Sequence, residues 1–327
     1  MDEEQRENQT HVTLFILLGF QNLEHLWILP FLAFLFTYIF TMTGNLLIFV
    51  LVVIDQHLHT PMYFFLCNLA CLEICYSSTL SPILLTTLLM DRKTISFSNC
   101  FLQLFFFGYC LGAECYLLSV MSYDRYLAIC KPLHYAIVMN TRKCVQLAAI
   151  SWTNGCIGIS VIITAMLQLK YCGPNEIDHY FCDSVPLKEL SCSDTYLVEH
   201  VNLILLFIYT MPPFLITLAS YVYIITAILR IPSTTGRKKA FSTCSSHLIV
   251  VSIYYGSLIT VYLLPPSSSM NKLCSLLYTI LPPLVNPLIY SLRNKDVKKA
   301  LRRVKNKVAI FNLIQNMLRS LVNIKNK

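Results

Sequence analysis

Long apolar stretches joined by short polar connections make up most of this sequence. Seven such stretches lie at about 28–54, 61–90, 98–130, 144–168, 199–230, 241–264 and 273–291. Each is close to or longer than the roughly 20 apolar residues that a helix needs to cross a bilayer. Only one connection is long, at 169–198. The pattern predicts an all-α membrane protein, built as a bundle of seven transmembrane helices.

The composition supports this prediction. Of the 327 residues, 56% are hydrophobic and 13% are charged, whereas a soluble domain has about 25% charged residues. So few ionised groups cannot cover the surface of a chain this long, and lipid must replace water over much of it. We divide the chain into a polar segment at 1–27, one seven-helix domain at 28–292 and a basic tail at 293–327. The first segment lacks the features of a signal peptide, so we expect the first membrane helix to act as an uncleaved anchor.

The distribution of Lys and Arg predicts the orientation in the membrane, because basic residues accumulate on the cytoplasmic side. With the N-terminus outside, six of the 25 basic residues lie outside and the other nineteen inside. We therefore expect a multi-pass plasma-membrane protein with a cytoplasmic C-terminus. The net charge of +8 then suits anionic lipid and does not indicate nucleic acid. Asn8 begins an Asn-Gln-Thr glycosylation triplet on the outer side.

Four of the cysteines lie on the predicted outer side. They are Cys100, Cys172, Cys182 and Cys192. Disulfides persist in that compartment, and four thiols allow three pairings. A zinc site is the alternative, although these cysteines lack the paired close spacing of zinc ligands.

Four sequence blocks in order carry a more specific signal. They read LHTPMYFFL at 58–66, MSYDRYLAIC at 121–130, KAFSTCSSH at 239–247 and PLVNPLIYSLRN at 283–294. This set is similar to the vertebrate olfactory (odorant) receptor family of rhodopsin-like, class A G-protein-coupled receptors. The resemblance implies a receptor for a small odorant that activates a stimulatory heterotrimeric G protein and raises cyclic AMP. It also implies disulfides between Cys100 and Cys182 and between Cys172 and Cys192.

The same resemblance implies an activation switch at the inner end of the third helix. Arg125 is permanently charged; it would pair with Asp124 at rest and be released when the sixth helix moves outward. For Arg125 alone, an interfacial arginine that reaches lipid headgroups is the alternative. The implied switch residues are Asp124, Arg125, Tyr126, Tyr221, His247, Asn286, Pro287 and Tyr290.

Two carboxyl groups, those of Glu73 and Glu114, fall inside predicted membrane helices. Two such neighbours cannot both be comfortably ionised, because like charges at close range repel each other. The resemblance implies that they hold a sodium ion in the resting state, although the family more often has aspartate at the position of Glu73. A protonated, hydrogen-bonded carboxyl pair without an ion is the alternative.

The resemblance places the ligand pocket in the outer half of the third, fifth, sixth and seventh helices. The predicted lining is Phe107, Gly108, Leu111, Gly112, Asn202, Leu205, Leu206, Tyr209, Tyr255, Leu258, Ile259, Tyr262, Tyr278 and Thr279. These mainly apolar and aromatic groups suit a small, weakly polar, neutral molecule. Ordinary helix packing is the alternative for any single one of them.

The basic residues after the seventh helix alternate with apolar ones over 296–305, which predicts a short amphipathic helix against membrane lipid. A receptor of the same fold for a non-odorant metabolite is the alternative function. A transporter or channel is a distant one, because no internal repeat is visible. The histidines are scattered without metal-ligand spacing, so we expect neither an enzyme nor a cofactor other than the sodium ion.

Overall fold

All seven predicted stretches contain helix in the computed structural model. It describes residues 12–19, 27–90, 93–172, 175–263, 272, 275–277, 279–289, 294 and 296–306, leaving aside the side chains of 206, 239, 242–243 and 259–263. The predictions for Asn8, Tyr278, Tyr290 and the tail from 307 onward therefore lie outside the described residues.

The helices follow one another with short connections. The first four membrane helices are α1 (Ile28–Ile54), α2 (Pro61–Leu89), α3 (Phe97–Cys130) and, after the short α4 (Pro132–Val138), α5 (Thr141–Met166). The long connection contains α6 (Ser184–Glu189). The fifth comprises α7 (Tyr196–Leu205), a π-helical turn (Leu206–Thr210) and α8 (Met211–Leu229). The sixth is α9 (Thr234–Leu263), and the seventh includes α10 (Leu281–Pro287). The last helix, α11, covers 296–306.

Local sequence signals explain where these helices begin. Ser96 accepts a hydrogen bond from the backbone N–H of Asn99 and caps α3. Asn140 accepts one from the N–H of Lys143 at 2.9 Å and caps α5. Serine and asparagine are favoured at such positions because their side chains satisfy free N–H groups of the first turn. Within the described residues, five helical stretches are long and apolar enough to cross a membrane.

The fifth membrane helix changes its winding before a pair of prolines. Pro212 and Pro213 have no backbone N–H to donate to the preceding turn. The π-helical turn Leu206–Thr210 lies immediately before them, in the half of the helix that faces the long connection. Single π turns inside α-helices occur frequently at functional sites.

A three-stranded sheet adds to the predicted all-helical architecture. The strand β1 (Leu14–Leu17) pairs in antiparallel fashion with β2 (Lys93–Ser96) and in parallel fashion with β3 (Glu176–Ile177). Phe15 and Leu17 on β1 are 0% and 1% exposed. The N-terminal segment, which we expected to be polar, therefore contributes a buried strand to one end of the bundle. We call this end the sheet end and the opposite one the Arg125 end.

The helix α3 lies at the centre of the bundle and packs against α2, α5 and α8. Its contact with α5 is very close at Gly112, where an added Cβ would lie 3.0 Å from the Cα of Gly155. Large apolar side chains such as Leu29 and Phe36 point outward and are 72% and 70% exposed. Exposed apolar surface on this scale is what a bundle surrounded by lipid presents.

Candidate ligand cavity and switch region

A cavity of about 420 Å³ lies between α3, α5, α7 and α9, beneath α6. Eight of the predicted pocket residues line it: Phe107, Gly108, Leu111, Gly112, Asn202, Leu205, Tyr209 and Leu258. Phe107 is 2% exposed and its ring lies 5.0 Å from that of Phe181 in the long connection. The wall along α3 is therefore mainly apolar.

Two predicted pocket residues are placed elsewhere. The hydroxyl of Tyr255 lies 3.6 Å from the sulfur of Cys115, and that of Thr279 lies 2.8 Å from the hydroxyl of Tyr180. The first contact joins α9 to α3, the second joins the seventh membrane helix to the long connection, and neither residue is among those that line the cavity. The side chains of Leu206, Ile259 and Tyr262 are outside the described residues.

The fourth membrane helix forms a wall that the sequence did not indicate. Asn154, Gly155, Gly158, Ile159 and Ile162 of α5 line the cavity. Gly155 and Gly158 are the sequence signal for this wall, because residues without side chains allow membrane helices to approach each other closely. An added Cβ at Gly158 would lie 3.5 Å from the ring of Tyr209, at ordinary contact distance.

Polar groups collect at the sheet end of the cavity. The ammonium of Lys188 lies 3.0 Å from the carboxylate of Glu199, and both residues line the cavity. Asp183 is 4% exposed and accepts a hydrogen bond from the N–H of Ser184. The carboxamide oxygen of Asn202 is buried and accepts no hydrogen bond from any described residue. The cavity therefore has an apolar interior and a polar rim in which the two opposite charges neutralise each other.

Two disulfides constrain the long connection: one joins it to α3 and the other closes a loop within it. Cys100 is joined to Cys182, and Cys172 to Cys192, with Cα–Cα distances of 5.5 and 5.8 Å. These are the pairs that the family resemblance implies. The first connects the start of α3 to the residues that follow β3.

Polar contacts attach the same connection to the seventh membrane helix and to β1. His179 lies 3.2 Å from the hydroxyl of Ser275, and burial lowers the pKa of this imidazole to about 3. Lys272 forms an ion pair with Asp178 and donates a hydrogen bond to the carbonyl of Gly19. The connection is thus a cover attached to several separate parts of the chain.

Midway along the bundle, polar side chains from three helices meet. Glu73, Glu114 and Asn286 are 1%, 4% and 2% exposed. The carboxamide nitrogen of Asn286 donates a hydrogen bond to the carboxyl of Glu73, and the carboxyls of Glu73 and Glu114 interact with each other. One oxygen on each of the three has no hydrogen-bond partner among the described residues.

These three oxygens fit the requirements of a sodium ion, because hard cations are bound by oxygen ligands. Two of them come from carboxyl groups, which supply negative charge. Among the described residues, no cluster of three or more His, Cys, Asp or Glu is arranged so that it could hold a metal ion. Asn45 lies beside this region and donates to the carbonyls of Thr41 and Pro283.

At the Arg125 end, Arg125 forms an ion pair with Asp124. The hydroxyl of Tyr135 on α4 donates to the same carboxylate at 2.8 Å. These side chains of Asp124 and Arg125 are 1% and 12% exposed, so the pair is largely removed from water. Asp124 therefore holds Arg125 against α3 and at the same time binds Tyr135 of α4.

Four other predicted switch residues form separate contacts. The hydroxyl of Tyr221 on α8 lies 2.6 Å from Nδ1 of His247 on α9. The ring of Tyr126 lies 5.7 Å from that of Tyr223. Pro287 packs against α1 so closely that a Cβ at Gly44 would lie 2.7 Å from its Cβ.

The helix α11 packs against the bundle at the Arg125 end. Val297 and Ala300 are 3% and 0% exposed, and Arg303 forms an ion pair at 2.7 Å with Asp55. Burial raises the pKa of Asp55, but hydrogen bonds from Arg303 and His57 outweigh this effect and lower it to about 2. The predicted amphipathic helix is present and attached to the connection between α1 and α2.

Comparison with known proteins agrees with this architecture. A family model described as olfactory receptor matches residues 34–307. Human olfactory receptor 10A7 is 48% identical over 301 residues, which cover 91% of this chain and 95% of that protein. Human olfactory receptor 6C3 is 48% identical over 311 residues, covering 93% and 99%. Mouse olfactory receptor 5G25 is 46% identical over 314 residues, covering 95% and 99%. The match reaches from α1 to the end of α11.

Proposed function

Because this chain belongs to the olfactory receptor family, and is therefore a multi-pass membrane receptor and not an enzyme, we propose that it detects a small odorant. The odorant binds in the cavity between α3, α5, α7 and α9. The observation that carries this proposal is the cavity itself, which has a volume of about 420 Å³. Ligand sites commonly measure about 300–1,000 Å³ and are lined mainly by apolar groups.

The ligand is small, mostly apolar and neutral. Its apolar part lies against Phe107, Leu111 and Leu258. Lys188 and Glu199 neutralise each other at the rim, so neither of these two groups offers an unpaired charge to a charged ligand. A buried charge without a partner is strongly unfavourable, which selects against amines and carboxylic acids.

The orientation follows from the charge distribution. With the sheet end outside the cell, nineteen of the 25 Lys and Arg residues lie on the cytoplasmic side, as the positive-inside rule requires. Two disulfides then lie in the compartment where disulfides persist. Asn8 is on the outer side and available for glycosylation in a receptor of the plasma membrane.

Signalling proceeds through the Arg125 end. Ligand binding shifts α9 outward and separates His247 from Tyr221. Arg125 then releases Asp124 and contacts a G protein of the stimulatory class. The activated G protein raises the concentration of cyclic AMP. A sodium ion at Glu73, Glu114 and Asn286 would supply positive charge that holds these groups together in the resting state.

A cyclic AMP assay in cells that express the full chain tests this proposal. We expect a response to at least one member of a chemically broad panel of volatile compounds. Leu111→Trp should fill the cavity and raise the half-maximal concentration roughly tenfold or more, which corresponds to about 1.4 kcal/mol. Leu218→Trp is the matched control, because Leu218 is 50% exposed on the outside of α8. A response unchanged by Leu111→Trp would place the ligand elsewhere.

Two further variants test the switch and the ion. Arg125→Ala should abolish the response while the receptor still reaches the cell surface, and a response that survives would contradict the proposed switch. Glu73→Gln and Glu114→Gln should each remove any sodium dependence of basal signalling. Unchanged dependence in both variants would rule out the ion at these carboxyls.

A further inference from the structure

A second cleft lies on the outer surface of the bundle between α8 and α9, near the Arg125 end. It has a volume of about 400 Å³. Its walls include Ile225, Leu229 and Phe241, which are 42%, 63% and 53% exposed. Arg237 and Lys238 stand at its mouth and are also exposed. The ligand cavity described above has none of these residues in its lining.

The charge around this cleft has one sign only. The sequence has no aspartate or glutamate between Glu199 and Asp296, so neither α8 nor α9 carries an acid that would neutralise Arg237 and Lys238. The guanidinium of Arg237 donates one hydrogen bond at 3.2 Å to the carbonyl of Ile231. A guanidinium has five N–H donors, and this bond uses one while fixing the side chain at the mouth of the cleft.

We propose that this cleft binds one anionic phospholipid of the surrounding leaflet. Its acyl chain lies between Leu229 and Phe241, and its phosphate is bound by Arg237 and Lys238. Arginine matches the geometry of a phosphate through paired N–H groups, and lysine adds a second charge. The apolar walls face away from the interior of the bundle, so the occupant reaches them from within the membrane.

The position of the cleft couples this lipid to the contact between the two helices. Ile228 lines the cleft and also belongs to the apolar cluster that Tyr221, Ile224 and Cys244 form between α8 and α9. A lipid whose chain contacts both α8 and α9 and whose headgroup is bound by α9 therefore holds the two helices together from the outside.

The test uses the full chain in nanodiscs of phosphatidylcholine that contain a small fraction of phosphatidylserine with a photoreactive acyl chain. We expect cross-links in the wild type within residues 225–241. Each basic residue near a membrane surface contributes about 1 kcal/mol of attraction to anionic lipid. Arg237→Gln with Lys238→Gln should therefore weaken binding roughly 30-fold, the equivalent of about 2 kcal/mol.

Two controls separate this site from general surface charge. Arg142→Gln with Lys143→Gln removes the same charge from an exposed helix start at the same end, and should leave cross-linking at 225–241 unchanged. Leu229→Trp keeps every charge but fills the cleft, and should reduce cross-linking; it also tests the site if the double substitution disturbs folding. Thermal unfolding verifies that each variant is folded.

Three results would overturn the proposal. Equal losses in both double variants would show that only the total surface charge matters. Undiminished cross-linking in the folded Leu229→Trp variant would show that no acyl chain occupies the cleft. Displacement of the lipid probe by millimolar inorganic phosphate would identify a site for free phosphate instead.

Discussion

Replacing Gly155 with alanine tests the closest helix contact beside the ligand cavity. A Cβ at this position would lie 2.5 Å from the backbone oxygen of Tyr109 and 2.7 Å from the backbone nitrogen of Ala113. Both are backbone atoms, so no side chain can rotate to make room and α3 and α5 must move apart. Overpacking of this kind costs about 1–3 kcal/mol.

A smaller effect opposes this cost. Alanine loses less conformational entropy than glycine when a helix forms, which contributes about 0.5–1 kcal/mol of stability. Taking the middle of each range, the net expectation for Gly155→Ala is a loss of about 1 kcal/mol of unfolding free energy. A loss of about 1 kcal/mol lowers the unfolding midpoint by about 2–4 °C in a chain of 150–250 residues and by less in a longer one, so the midpoint of the purified receptor in detergent should fall by at most roughly 2–4 °C.

Gly256→Ala is the matched control for this measurement. Gly256 also lies inside a long helix, but a Cβ there would come within 4 Å of no atom of the described residues outside its own stretch of helix. Its unfolding midpoint should stay the same or rise slightly. If Gly155→Ala unfolds at the same temperature as Gly256→Ala, then α3 and α5 are not in direct contact at this point.

Three other substitutions probe polar contacts. Tyr221→Phe removes the hydrogen bond to His247 and should lower the free energy of unfolding by about 1–3 kcal/mol. In a double-mutant cycle this loss should largely disappear in a His247→Ala background, and full additivity of the two losses would contradict the contact. Burial lowers the pKa of His179 from 6.5 to about 3, so the unfolded chain gains a proton below pH 6.5 that the folded chain does not. Thermal stability should therefore fall as the pH drops from about 6.5 towards 3, and a slope that persists in His179→Gln would assign it to another group. Asp55→Asn removes the ion pair with Arg303 and, after solvent screening, should cost at most about 1 kcal/mol. Amide hydrogen exchange in α11 should then become up to about fivefold faster, and unchanged protection would show that apolar packing alone holds this helix.

The membrane helices were predictable from the sequence because each is a continuous local pattern. The prediction placed the start of the fourth at 144, whereas α5 begins at Thr141 under the cap of Asn140. The difference arises because the first turn of α5 is polar, so the apolar pattern does not include it. Its start is set by the single hydrogen bond to the cap residue. The amphipathic α11 was equally predictable, since its basic and apolar positions alternate over a few residues.

Features that depend on distant residues were not predictable in this way. The strand β1 is four residues long and pairs with partners near 95 and 176, so no local pattern marks it. The contribution of α5 to the cavity depends on how closely α3 and α5 approach at Gly112 and Gly155. That distance is a property of the packed bundle and not of either helix alone.

The strand order β2-β1-β3 has a consequence for the biosynthesis of this receptor. The ribosome makes β1 first, yet β1 lies between its two partners. Its partner β3 is synthesised only after α1, α2, α3 and α5. Residues 14–17 can pair with β2 once α1 and α2 have been made, but their pairing with β3 must wait until four membrane helices have been made. During this interval the apolar segment is accessible to chaperones. A bulky fusion close to Leu14 should therefore impair export of the receptor even though every membrane helix is intact.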